Sequence, residues 1–184
     1  MVGIDEVGRG CLAGPLLVVA ARATAQLPKL RDSKSLSKAQ RQGLFNSLIE
    51  ACLFGEGWVS SSEIDKQGLT EAMKSGVARA LKNLGVSDQE EIILDGNYNY
   101  LPVHYKNFQC IIKADQSIAV VSAASIYAKV RRDLYMKELA KKHPHYLFDS
   151  HAGYGTKAHY RALKEYGPLE FVHRTSFALT RTLS

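Results

Sequence analysis

Apolar residues fall along this chain in two rhythms: short, mostly apolar runs, and longer stretches with a three-to-four spacing. The short runs are Met1 to Ile4, Leu16 to Ala23, Ile92 to Leu94 and Cys110 to Ile112, with Trp58-Val59 a smaller fifth. A brief apolar run bounded by turn residues predicts a strand buried on both faces. The turn Gly14-Pro15 introduces the second of them. The longer rhythm is clearest at Ala72, Met73, Gly76, Val77, Ala80, Leu81 and Leu84, the stripe of a helix lying on a sheet, closed by Gly85. Ser37 with Gln40 forms a capping-box pattern that predicts a helix through about Cys52. A long helix is expected from a Ser117 cap to about Lys142, stopping before Pro144. Another spans Thr156 to Tyr166, with Gly167 beyond its end. The segments around Tyr98 to Tyr100 and Phe148 to Tyr154 are the least regular. Strands interleaved with amphipathic helices describe an α/β layered domain. With no repeat, low-complexity stretch or long linker, one domain over residues 1–184 is expected.

Composition sharpens this. The 184 residues are 46% hydrophobic, enough for a substantial core. The net charge of +6 favours an anionic partner without requiring one. Residues 1–92 hold 11 of the 24 basic and 11 of the 18 acidic side chains, so the remaining 13 and 7 put the entire excess in residues 93–184. A basic half joined to a neutral one is the footprint of a nucleic-acid face, although a solvated lysine-rich helix near Lys137 to Lys142 accounts for part of it. Cys11, Cys52 and Cys110 are odd in number and lack zinc spacing, which points away from a disulfide framework and towards a reducing, cytoplasmic setting. No long apolar span or signal peptide is visible, so no membrane partner is expected, and a monomer is the default.

The chemistry concentrates in acids. Asp5 and Glu6 follow the first apolar run, Asp95 ends Ile92 to Leu94, and Asp115 follows the run that starts at Cys110. In an open α/β sheet the strand ends lie side by side, so these carboxylates can meet at one edge. Four hard oxygen ligands suit Mg²⁺ or Mn²⁺ better than zinc. Two such ions about 4 Å apart can drive hydrolysis of a phosphodiester with no catalytic serine or cysteine. Adjacent strand residues point to opposite faces, so Asp5 and Glu6 converge only if the strand ends or twists there. Gly8-Arg9-Gly10 follows at once, a loop that can approach a ligand closely while Arg9 offers donors to phosphate or sugar oxygens. A solvated turn after a strand is the plainer reading of Asp5-Glu6, and a tight turn that of Gly8 to Gly10.

Taken jointly, the motifs resemble type 2 ribonuclease H, the bacterial ribonuclease HII family. They are Asp5-Glu6-Val7-Gly8-Arg9-Gly10, Ala13-Gly14-Pro15, Asp32-Ser33-Lys34, Leu94-Asp95-Gly96 and Lys113-Ala114-Asp115. Ala123-Ala124-Ser125-Ile126, Ala128-Lys129-Val130, Arg132-Asp133, Gly153-Tyr154-Gly155-Thr156, His173-Arg174 and Ser176-Phe177 complete the series. The resemblance implies an RNase H-like fold: a mixed central sheet flanked by helices, with a helical C-terminal part. It implies an endonuclease that cuts RNA paired with DNA and nicks on the 5′ side of single ribonucleotides in duplex DNA, leaving 5′-phosphate and 3′-hydroxyl ends. Its partners are therefore RNA–DNA hybrids and ribonucleotide-containing DNA. By the same resemblance Asp5, Glu6, Asp95 and Asp115 are catalytic metal ligands, Gly8, Arg9 and Gly10 read the 2′-OH, and Tyr154 packs on the deoxyribose after the ribonucleotide.

Around that core, Lys34 and Lys113 fall in loops near the inferred site and are candidate phosphate contacts. Ser125 with Ala123 and Ala124 is read as helix packing, Arg132 and Asp133 as an ion pair or backbone anchor, and His173 and Arg174 as phosphate contacts or anchors of a folded tail. Two positions depart from the family pattern: Ala152 stands where a lysine usually precedes Gly-Tyr-Gly, and Ala114 where a glycine usually precedes the fourth acid. Weaker substrate affinity or altered metal preference is expected from them, not inactivity. The chain ends soon after Phe177, which puts in doubt any grip the family draws from a helical tail. A type 3 ribonuclease H would carry an added N-terminal domain, whereas the first strand here starts at Met1. A module that binds hybrids without cutting them would not need acids facing phosphates.

Overall fold

The computed structural model describes residues 1–28, 30 and 38–177. The Ser37 cap and Lys34 lie outside them. Five strands form one sheet: β1 (Val2–Val7), β2 (Leu16–Ala23), β3 (Cys52–Val59), β4 (Ile92–Asp95) and β5 (Phe108–Ile111). Their order is β3-β2-β1-β4-β5. β1 runs antiparallel to β2, and β2 to β3, while β1–β4 and β4–β5 are parallel. The sheet is therefore mixed, as the resemblance implied.

Helices cover both faces, and β2 shows why its sequence is apolar from Leu16 to Ala21. Leu16, Val18 and Ala20 pack beneath α2 (Ser61–Leu84), with Ile64, Met73, Val77 and Leu81. Leu17, Val19 and Ala21 face the other way, onto Val121, Ala124 and Ala128 of α4 (Ala119–Lys142). Burial on both sides removes the polar alternation of a half-exposed strand. α1 (Lys38–Ala51) joins the α4 side through Leu48, which meets Ala123 and Ile126. A third cluster builds the helical C-terminal part. Here Leu12, Met136, Phe148 and Leu163 gather α5 (Phe148–His151) and α6 (Lys157–Tyr166) against the end of α4.

Several predicted boundaries shift. The stripe from Ala72 is the second part of α2, which begins at Ser61 and breaks at Gly68 (φ 78°). Its start is a capping box in which Ser60 and Glu63 exchange hydrogen bonds. β3 covers eight residues where only Trp58-Val59 was expected. Ser117 does not cap the long helix: it ends a four-residue turn, α3 (Ala114–Ser117), and α4 starts one residue after Ile118. The irregular 148–154 segment contains α5 and the left-handed residues Ala152 and Gly153, with left-handed Leu147 just before it.

Candidate active site

The parallel pairing of β1 with β4 stops at Ile4 and Leu94. The next register position would set Asp5 beside Asp95, two like charges, and there the strands part. β1 continues to Val7 on its β2 side alone. Asp5 and Glu6 thus do not end the first strand, as the sequence suggested; they sit within it, at the point where one edge opens. Asp95 ends β4, and Asp115 lies in the first turn of α3, four residues beyond β5.

The opening is a cleft of about 460 Å³ lined by Asp5, Glu6, Gly8, Arg9, Gly10, Asp95, Asp115, Ser125, Lys129 and Tyr154, with Val7. All four predicted acids, the glycine–arginine loop and Tyr154 therefore meet in one place. Lys113 does not line it: the residue is exposed, in a left-handed conformation just before α3.

Three of the acids, Asp5, Asp95 and Asp115, are tied to specific neighbours. Gly3 precedes Asp5 on the same face of β1, and a Cβ there would lie 2.6 Å from the Val121 nitrogen, so α4 approaches the strand closely. That approach brings Ser125 within hydrogen-bonding reach of the Asp5 carboxylate. Asp5 Oδ1 also accepts the Glu6 N–H at 2.8 Å. Asp95 Oδ1 accepts the Ala114 N–H at 2.7 Å, tying β4 to the start of α3. Ala114 is itself fully buried. Asp115 is only 1% exposed, and the Ser122 hydroxyl donates to its backbone carbonyl.

Burial, then the charge of Glu6, raises the Asp5 pKa to about 8. Burial likewise raises that of Glu6, and Asp95 adds to it while Arg9 opposes it. Crowded acids of this kind resist ionising together unless a cation joins them. Among the described residues, no group of three or more His, Cys, Asp and Glu side chains is arranged to hold an ion as it stands. An open, oxygen-only edge still fits Mg²⁺ or Mn²⁺, because Mg²⁺ usually takes one or two carboxylates and keeps the rest of its shell for water and phosphate oxygens.

The substrate-facing loops have their own support. Gly8 has φ 87°, and a Cβ there would lie 2.3 Å from Arg132 Nε. Arg9 is half exposed, with one guanidinium nitrogen 3.7 Å from Glu6 and its guanidinium carbon 6.0 Å from the Tyr100 ring centre. Tyr154 is 40% exposed, flanked by Lys129 and Arg132, each 5.9 Å from its ring centre. Ser125 and Lys129 were not expected at the site. Their spacing of four on one helix was the available signal, but an alanine-rich stretch reads first as packing. Lys129 pairs with Asp133 at 2.7 Å. Arg132, His173 and Arg174 are buried anchors, not phosphate contacts.

Ala152 adopts φ 49° and lines a smaller depression of about 250 Å³ that shares Lys129 and Tyr154 with the cleft and includes Asp133. One added cation there should tighten hybrid binding by about two- to fivefold at low salt, fading as salt rises. Filter binding of the Ala152→Lys variant checks this, and affinity equal to the parent at every salt concentration would count against a phosphate path over this depression.

A mixed sheet whose parallel strands open onto four carboxylates, next to a glycine–arginine loop, defines a nuclease of the RNase H-like fold. The ribonuclease HII family profile matches residues 2–180. The chain belongs to that family, whose members are endonucleases that hydrolyse RNA paired with DNA. It is 42% identical over 183 residues to a ribonuclease HII of Campylobacter concisus (strain 13826), covering 99% of this chain and 95% of that one. To a ribonuclease HII of Aliarcobacter butzleri (strain RM4018) it is 40% identical over 179 residues, 97% and 91% of the two chains. The crystal structure of ribonuclease H2 from Pyrococcus horikoshii OT3 superposes with a TM-score of 0.79 at 27% identity, covering 99% of this chain and 95% of that one.

Proposed function

We propose that this endonuclease is metal-dependent and that, besides cutting RNA within RNA–DNA hybrids, it nicks on the 5′ side of single ribonucleotides in duplex DNA. The observation that carries the reading is the composition of one cleft: four carboxylates, the Gly8–Gly10 loop and Tyr154. Mg²⁺ or Mn²⁺ bound by Asp5, Glu6, Asp95 and Asp115 would supply an activated water and neutralise charge on the scissile phosphate. Ser125 and the Ala114 N–H hold the carboxylates of Asp5 and Asp95 in place. Backbone groups of Gly8 to Gly10 reach the 2′-OH, the group that separates RNA from DNA at a given nucleotide. The Tyr154 ring offers an apolar face to the deoxyribose that follows. Lys129 is the additional cation in the cleft for substrate phosphate.

Cleavage of a labelled DNA duplex carrying one ribonucleotide, with Mg²⁺, Mn²⁺ or chelator, tests this. A metal-dependent nick 5′ of the ribonucleotide is expected. Cutting only within longer RNA tracts would remove the junction role of Arg9 and Tyr154, and binding without a cut under either metal would defeat the catalytic reading. Arg9→Ala should lower single-ribonucleotide cleavage by roughly tenfold while changing affinity for all-DNA duplex only about twofold. Equal losses in cleavage and in plain-DNA affinity would reduce Arg9 to a generic phosphate contact.

A further inference from the structure

Three histidines behind the cleft have no part in the chemistry above, and the hydrogen-bond network assigns a proton to each. The Gly153 N–H donates to His151 Nδ1 at 3.2 Å, so the His151 proton is on Nε2, which donates to the Tyr146 carbonyl at 2.8 Å. The Leu169 N–H donates to His173 Nδ1 at 2.8 Å, which leaves the His173 proton on Nε2. That nitrogen lies 3.1 Å from His159 Nε2. His159 Nε2 must therefore accept, and its own proton sits on Nδ1, donated to the Tyr154 carbonyl at 3.0 Å. The bonds run one way, from the backbone at Leu169, through two imidazoles, to the backbone of the tyrosine in the cleft.

This relay works only with both rings neutral. His159 and His173 are 0% and 1% exposed, and burial pushes the pKa of each down to about 4. His151 stacks on His159 at 4.5 Å between ring centres, fixing its plane. The residue after His173 reaches the other substrate-facing loop: Arg174 Nη1 donates to the Arg9 carbonyl at 2.9 Å. Between the two lies the strip from Leu12 to Gly14. Its Leu12 N–H bonds the Gly153 carbonyl, its Leu12 carbonyl accepts the Arg174 N–H, and its Gly14 N–H bonds the Val172 carbonyl. One C-terminal turn therefore grips both the arginine loop and the tyrosine loop.

We propose that His159, oriented by His173, is a positioning residue for Tyr154: it fixes the tyrosine's backbone relative to the Gly8–Gly10 loop and thereby sets how well the cleft discriminates a ribonucleotide–deoxyribonucleotide junction from continuous RNA. This rests on the reading of Tyr154 as the side chain that packs on the junction. The Tyr154 carbonyl also accepts the Thr156 N–H at 2.8 Å, so losing the histidine bond does not orphan it. The loss falls on direction more than on stability.

The test compares, within each variant, the rate on a DNA duplex with one ribonucleotide to the rate on a long RNA–DNA hybrid. A ratio cancels any difference in the fraction of folded enzyme. An asparagine amide can stand where Nδ1 stands and still donate to the Tyr154 carbonyl; a glutamine amide stands nearer the Nε2 position and does not. His159→Asn should keep the ratio within about twofold of wild type, and His159→Gln should lower it about tenfold, short of the ~10²-fold that a 1 Å misplacement can cost. His173→Asn retains an acceptor for the Leu169 N–H but loses the donor to His159, and should lower the ratio in the same sense. Tyr154→Ala is the control. A lowered ratio for Tyr154→Ala with unchanged ratios for every histidine variant would overturn the proposal and leave the tyrosine reading standing. Equal losses for His159→Asn and His159→Gln would also overturn it, reducing the ring to a space-filler. An unchanged ratio for Tyr154→Ala would overturn the tyrosine reading itself, and the proposal with it.

Discussion

Asp95→Asn should abolish cleavage while leaving hybrid binding almost unchanged. Asparagine keeps the shape of aspartate, and its amide oxygen can still accept the Ala114 N–H now bonded at 2.7 Å. The link between β4 and α3 therefore survives, and with it the position of Asp115, the very next residue of the turn. What is lost is one negative charge at the point where β1 and β4 part. If the acids act together on a cation, losing one oxyanion ligand removes stabilisation needed most in the transition state. A single electrostatic group of that kind is worth about 10²- to 10³-fold in rate. Binding should hold or tighten slightly, since a carboxylate facing phosphates repels them. Single-turnover cleavage beside a filter-binding titration checks both halves. Rates within about threefold of wild type would remove Asp95 from the site, and a parallel collapse of binding would mean that the substitution had broken the loop.

How much of this was readable beforehand differs by residue. The acids were visible because each follows an apolar run, and parallel strands in one sheet bring their ends together. That Glu6 joins Asp5 in the cleft was expected from the resemblance, but the residues alone made it conditional on the strand ending or twisting, because it depends on where the β1–β4 ladder stops, and register is a property of pairs of strands. β3 was underestimated because two of its inward positions are Gly55 and Gly57, which a search for apolar alternation passes over. The start of α2 could have been found: Ser60 and Glu63 have the spacing of a capping box, but Gly68 separates them from the stripe that follows. Ser125 and Lys129 acquire their place from the close approach of α4 to Gly3, a contact between segments more than a hundred residues apart. The histidine network was hidden for the same reason, since His151, His159 and His173 come from three different turns.

Arg132→Ala should cost more stability than any change in the cleft. The side chain is 0% exposed, and its five donors reach three backbone carbonyls: Nε to Pro15 at 2.8 Å, Nη1 to Ala152 at 2.8 Å and Nη2 to Ala13 at 3.1 Å. Those carbonyls belong to the strip after the arginine loop and to the residue two before Tyr154, so one guanidinium joins the segments that carry the substrate contacts. Alanine takes this donor from the Pro15 and Ala13 carbonyls beneath Gly8 and leaves Ala152 only the weak Cys11 thiol donor at 3.6 Å, each unsatisfied group costing about 1–3 kcal/mol. A total of about 4 kcal/mol or more is expected, at the upper end for single substitutions. At roughly 2–4 °C per kcal/mol for a domain of this size, Tm should fall by about 10 °C. Arg132→Lys tests whether the fork matters as well as the charge. A single ammonium cannot span three carbonyls set around a planar group, so lysine should recover less than half of the loss. Thermal unfolding followed by circular dichroism measures both variants. Full recovery by lysine would show that charge alone holds the strip, and a loss below about 1 kcal/mol in Arg132→Ala would mean that water replaces the guanidinium at little cost.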